Sequence, residues 1–128
     1  MKYFTDIKGR GIKMTLEKVK GILQADVLVG SDLSYEVYSA YGSDLMSDVL
    51  AFVKNHVLLL TGLINPQVIR TAEMMDIHAI VFVRGKQPTE DIIELAKQKN
   101  MIILTTTHSL YTSCGLLYTH GLMGEERV

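Results

Sequence analysis

The 128-residue chain balances 13 Lys and Arg against 14 Asp and Glu, and a formal charge of −1 excludes the basic excess of a dedicated nucleic-acid binder. Its length suits one domain, and folding at that length buries roughly two-thirds of the unfolded surface, enough for a core without staples. The single cysteine, Cys114, excludes an internal disulfide and fits a reducing, cytoplasmic setting, and no apolar run approaches the ~20 residues that span a bilayer.

Residues 1–13 are polar, carry Lys2, Lys8, Arg10 and Lys13, and lack the apolar stretch of a signal peptide. They are expected to form a flexible tail, with the α/β domain over 14–124 and a short C-terminal tail over 125–128. Thr15 caps an expected helix over 16–23 whose apolar face is Leu16, Val19, Ile22 and Leu23. Residues 26–29 read as a strand turning at Gly30. Residues 35–41 alternate, Tyr35, Val37, Ser39 and Tyr41 against Glu36, Tyr38 and Ala40, so they read as one further strand. Ser43 then caps a helix with the stripe Leu45, Met46, Val49, Leu50 and Val53, ending near Asn55.

From residue 57 the rhythm is regular. Apolar runs at 57–60, 79–83 and 101–104 alternate with helices that start at Asn65-Pro66, Pro88-Thr89 and Ser109. Gly121 stops the last of them. Strands apolar on both faces, alternating with helices, indicate a mostly parallel sheet covered on both sides, a three-layer α/β/α domain.

The familiar catalytic signatures are missing. Gly85-Lys86 is followed by Gln87 rather than Ser or Thr, Gly9-Arg10-Gly11 does not continue as a dinucleotide fingerprint, and no nucleophile elbow is present. Cys114 reads as a small buried helix residue. His56, His78, His108 and His120 have no partner at metal-ligand spacing, and neither metal nor cofactor is expected. Asp44 and Asp48, four apart, read as solvated carboxylates on the first turn of one helix, with a metal role the weaker alternative.

The collective feature carries more. In a parallel sheet, ligands gather beyond the carboxyl ends of the strands. Thr61-Gly62, Arg84-Gly85-Lys86 and Thr105, Thr106, His108 and Ser109 fall there, with helix N-termini beginning at Asn65-Pro66, Thr89 and Ser109. Free N–H groups beside Arg84 and Lys86 suit a phosphate or carboxylate. No nucleophile there has a partnered base, so a binding role ranks above an enzymatic one.

The segment Gly42-Ser43-Asp44-Leu45-Met46-Ser47-Asp48-Val49-Leu50-Ala51 resembles the Y-x-S-D-L-L-S-D-V-M-A signature of small stand-alone DRTGG-domain proteins. The likeness extends through Arg84-Gly85-Lys86-Gln87-Pro88, Glu94-Leu95-Ala96-Lys97 and Ile102-Ile103-Leu104-Thr105-Thr106 to Cys114-Gly115-Leu116-Leu117-Tyr118 and Gly121-Leu122. The five letters that name the family are not intact: Arg84-Gly85-Lys86 stands where Thr-Gly-Gly is expected, and Asn65-Pro66 where Asp-Arg is expected. The resemblance implies a fold like the N-terminal domain of HPr kinase/phosphorylase. It also implies regulation, ligand sensing and dimer formation, as beside the CBS modules of nucleotide-regulated pyrophosphatases, without a P-loop kinase domain.

The expected function is a non-catalytic regulatory domain, a dimer as the resemblance implies, that binds an anionic metabolite or nucleotide. Arg84 and Lys86 attract the anion, while N–H groups near Gly62, Gly85 and Ser109 hydrogen-bond it. Thr61, Asn65, Thr105, Thr106 and His108 frame the site, and Ser43, Asp44 and Asp48 flank it. The alternative is an assembly subunit that docks a partner protein, such as a hydrogenase-type metalloenzyme. A small phosphoryl-transfer enzyme built on Asp44, Asp48 and His108 ranks third.

Overall fold

The computed structural model of the protein describes residues 12–52 and 56–124. In chain order the elements are β1 (Met14–Thr15), α1 (Leu16–Leu23), β2 (Asp26–Val29), β3 (Glu36–Val37), β4 (Ser39–Gly42) and α2 (Met46–Phe52). They continue as β5 (Val57–Thr61), α3 (Pro66–Met74), β6 (Ala79–Phe82), α4 (Glu90–Gln98), β7 (Ile102–Thr105) and α5 (Leu110–Thr119).

The main sheet has the order β2-β7-β6-β5-β4. Its four strands from β4 to β7 run parallel, and β2 pairs antiparallel to β7, with an irregularity between Val27 and Val29. Every residue of β5, β6 and β7 is buried. Alternation sorts their side chains onto two cores. Leu59, Ile80, Phe82 and Ile103 pack with Met46 and Val49 of α2, with Val68, Ile69 and Ala72 of α3, and with Ile92 and Ala96 of α4. Leu58, Leu60, Val81 and Leu104 pack with Leu16, Val19 and Leu23 of α1 and with Leu117 of α5. The expected three-layer α/β/α architecture, mostly parallel, is thereby borne out. Each fully buried Leu, Ile or Phe contributes about 1.5–3 kcal/mol, so the two cores supply the driving force for closing this sheet.

Local signals set the ends of the helices. Asn65 and Ser109 cap α3 and α5, accepting from the N–H of Gln67 (2.8 Å) and Thr112 (3.2 Å). Helices α3, α4 and α5 end in the same way, with a left-handed residue, Asp76, Asn100 or Gly121, followed by a buried apolar one. The N–H groups of Ile77, Met101 and Leu122 each reach back five residues, to Ala72, Ala96 and Leu117, at 2.8–3.0 Å.

Three expectations change. The single strand over 35–41 is two strands: β3 pairs with β1 in a separate antiparallel sheet, while β4 joins the edge of the main one. The alternation survives the break, since Val37 and Ser39 are both buried, but period two does not specify a partner. Helix α2 starts at Met46 rather than at Leu45, because the Ser43 hydroxyl accepts from the Leu45 N–H (2.9 Å) in a tight turn ahead of it. Met46 and Val49 are buried but Leu45 and Leu50 are exposed, and Val53 and Asn55 lie outside the described residues. Of the expected tails, residues 1–11 and 125–128 lie outside them too. Ile12 and Lys13, placed in the first tail, make fold contacts: Ile12 N–H donates to the Gly121 carbonyl (3.2 Å) and Lys13 pairs with Glu36 (3.6 Å).

Candidate functional site

Parallel strands in register deliver their exits to one rim. Thr61, Phe82 and Thr105 are lateral neighbours at the ends of β5, β6 and β7, and Gly42 of β4 lies beside Leu60. The segments that follow, Ser43-Asp44, Gly62, Arg84-Gly85-Lys86 and residues 106–109, therefore share one edge of the molecule, as the strand pattern predicts.

Asp44 is the hub of this rim. It precedes α2 and reaches across to β5, where its Oδ1 accepts from the Gly62 N–H (2.7 Å) and from the Thr61 hydroxyl (3.1 Å). Its Oδ2 lies 3.9 Å from the Arg84 guanidinium, with both side chains about half exposed. The guanidinium lies directly over Gly62, where an added Cβ would come within 2.5 Å of Arg84 Nη2. A side chain at this position would have to push the guanidinium aside, while the Gly62 backbone angle itself makes no demand for glycine. Arg84 itself is held at φ 62, a left-handed conformation that costs a non-glycine residue about 1 kcal/mol or more.

The expectation that Asp44 is a solvated helix carboxylate is therefore corrected, and so is the supply of free N–H groups. Gly62 N–H is taken by Asp44, Gly85 N–H donates to the Thr106 carbonyl (2.8 Å), and Arg84 N–H donates to the His108 carbonyl (2.7 Å). The reason is general: buried backbone donors do not stay unpaired. The threonines do the same. Thr105 donates its hydroxyl to the Lys86 carbonyl (3.0 Å) and the buried Thr106 to the Leu23 carbonyl (2.7 Å), so both stitch turns together.

What remains open to a ligand is the set of side chains. Lys86 is exposed and His108 half-buried, and neither side chain has a partner among the described residues. Asn65 and Ser109 are occupied as helix caps. Asp48 lies in the first turn of α2 and makes no bond to the Asp44 network. No group of three or more potential metal ligands occurs among the described residues. Cys114 packs against Gly42, where a Cβ would meet its Sγ at 2.7 Å, and burial pushes its thiol above the ordinary value. His56 and His78 sit at the opposite rim, before β5 and β6, as their sequence positions predict. Sequence reasoning missed the Asp44–Gly62 contact. A glycine directly after a buried strand Thr was the available sign of a close approach.

The architecture is that of a small α/β/α domain whose polar rim is closed by its own side chains, without an assembled catalytic set. The chain belongs to the DRTGG-domain family: the DRTGG domain model matches residues 18–119. No curated protein matches it. Among solved structures it is similar to the CBS and DRTGG domains of the regulatory region of Clostridium perfringens pyrophosphatase, complexed with the activator diadenosine tetraphosphate. The TM-score is 0.69 at 16% identity, over 89% of this chain and 52% of that one. At that identity the likeness is one of fold, and this chain spans about half the length of that regulatory region. Among the described residues, no helix is long and apolar enough to cross a membrane.

Proposed function

We propose that the protein is a non-catalytic, cytoplasmic regulatory domain that senses a small anionic metabolite, a nucleotide foremost, at the rim built by Asp44, Gly62, Arg84, Lys86 and His108. The observation that carries this reading is the Asp44 carboxylate held by Gly62 N–H, Thr61 hydroxyl and Arg84. These three groups bind an oxyanion, and the protein's own carboxylate fills the position. A phosphate that replaces it gains the same donors together with Lys86 and His108. Its arrival frees Asp44 and the Ser43 turn that sets the start of α2, which converts binding into a change at that helix. The DRTGG-bearing regulatory region of the similar pyrophosphatase, complexed with a nucleotide activator, supports the same class of ligand. The test is calorimetry against a panel of mono- and dinucleotides, repeated on Arg84→Ala. Saturable heat that Arg84→Ala abolishes is expected, and no heat across the panel removes nucleotide sensing.

A second reading is an assembly role, as a homodimer or on a partner protein, and the outer face of α5 favours it. Tyr111 is 89% exposed and Tyr118 45% exposed, beside Cys114 and Leu116. Aromatic side chains at such exposure are characteristic anchors of interfaces. Light scattering on the purified chain and on Tyr111→Glu separates the cases: a dimer that the variant dissociates supports self-assembly through α5. Phosphoryl transfer draws no support from this rim, since Asp44 is engaged by Gly62 and Thr61 and no activated nucleophile accompanies His108.

A further inference from the structure

The amino-end rim of the sheet, opposite the Arg84 rim, carries a different chemistry. Four rings stand in contact there, drawn from three segments of the chain. Tyr38 stacks on His56 at 4.7 Å with 17° between planes, His56 stacks on Tyr35 at 6.3 Å and 29°, and Tyr35 meets His78 edge-on at 5.8 Å and 66°. His78 is anchored in turn by Asp76, Nε2 to Oδ1 at 3.1 Å. Tyr35 and His78 then form one wall of an open cavity of about 430 Å³. Val29, Met101 and Ile102 supply its apolar lining, and the loop 30–32 with Lys97 and Asn100 at the end of α4 completes it.

That volume lies within the range of small-molecule sites. The polar groups at the cavity are also informative. Asn100 is fixed at φ 58 by the ending of α4, and its side-chain amide has no partner among the described residues. An amide presents a donor and an acceptor side by side, which matches the edge of a nucleobase. The charges at the mouth are of opposite sign: Lys97 already pairs with Glu94 at 3.5 Å, and Asp32 accepts from Ser34. Neither offers the uncompensated cation that a phosphate needs. Burial pushes the Tyr35 hydroxyl above its ordinary value, with the nearby Asp76 acting in the same direction, so the phenol stays protonated at physiological pH.

We infer that this cavity is a second binding site, for an uncharged planar heteroaromatic compound, a nucleobase or nucleoside, stacked against the Tyr35–His78 wall and read at its edge by Asn100. Base–aromatic stacking supplies affinity, and the amide supplies selectivity among bases. The site is independent of the Arg84 rim, which lies at the other ends of the strands.

The experiment is a titration of the ¹⁵N-labelled protein with adenosine, guanosine, cytidine and uridine, followed by amide shifts. At least one nucleoside is expected to give saturable shifts at residues 30–35, His78 and Asn100, with half-saturation below about 1 mM. Tyr35→Ala is expected to weaken it about tenfold. Asn100→Gly keeps the left-handed backbone while removing the amide, and should flatten the preference among the four. If Tyr35→Ala fails to fold, Asn100→Gly carries the test, and Arg84→Ala should leave the nucleoside shifts unchanged. The inference is overturned if no nucleoside saturates, or if the shifts centre on Gly62 and Arg84 and vanish in Arg84→Ala.

Discussion

Replacing Asp44 with alanine tests whether the carboxylate closes the rim. Two donors depend on it, and both are buried: the Gly62 N–H at 2.7 Å and the Thr61 hydroxyl at 3.1 Å. An orphaned buried donor costs about 1–3 kcal/mol. The Arg84 pair, at 3.9 Å with both side chains half exposed, adds no more than about 1 kcal/mol. Because Asp44 is itself half exposed, water entering its place recovers part of the loss. The net expectation for Asp44→Ala is about 2 kcal/mol, roughly 4–8 °C in melting temperature for a domain of this size. Asp44→Asn keeps the oxygen that accepts from Gly62 and Thr61 and should lose about half as much. Urea unfolding of the three proteins measures this, with an unchanged slope showing that only the native state has moved. Since the hydrogen bonds are short-ranged and only the Arg84 pair is screened, the Asp44→Ala loss should survive at 1 M salt. An Asp44→Ala protein within about 0.5 kcal/mol of the parent would refute the latch.

Arg84 at φ 62 should be relieved by glycine. Arg84→Gly is expected to unfold about 1 kcal/mol later than Arg84→Ala, although both lose the guanidinium, and equal urea midpoints would deny the strain. The Ser113 hydroxyl is fully buried and has no hydrogen-bond partner among the described residues. Ser113→Ala removes a desolvated group from α5 and should raise stability by about 1 kcal/mol, while a loss larger than ~0.5 kcal/mol would reveal a hidden partner. The raised Tyr35 value has a definite sign. Its contribution is complete below the ordinary tyrosine range and is lost as pH climbs from that range toward the folded value, because the unfolded chain ionises first. The parent should therefore lose stability relative to Tyr35→Phe between pH 9 and pH 11, compared by urea midpoints, and a parent that gains on the variant contradicts the sign.

How far these features are legible in the sequence follows from what kind of signal writes each one. The buried strands β5, β6 and β7 announce themselves as apolar runs, and α3 and α5 begin at the caps Asn65 and Ser109 that local chemistry prescribes. These are short-range signals, and they place three strand exits on one rim correctly. The break of 35–41 between two sheets is not a short-range fact. Both halves keep the same alternation, and only the pairing of Met14 with Val37 and of Ser39 with Val57 assigns them to different sheets. The Asp44–Gly62 bond spans 18 residues and depends on β4 lying beside β5. Helical spacing joins Asp44 to Asp48, and the fold joins it to Gly62 instead.

The two rims differ because the strands are parallel. Strands β5, β6 and β7 each enter after a helix and leave toward the start of the next. At the entry rim, His56, Asp76 and Asn100 all take left-handed angles of φ 58, the geometry that stops or reverses a helix with a polar residue. At the exit rim the chain offers N–H groups instead, and those of Gly62, Arg84 and Gly85 bind Asp44 and neighbouring carbonyls. On the proposed reading, an anion at the exit rim would exchange with Asp44, which would couple its binding to the start of α2. On the inference drawn above, a neutral ring at the entry rim would displace water from an open cavity rather than an internal partner. The parallel topology thus sets a rim closed by its own hydrogen bonds against a rim of stacked rings beside a cavity.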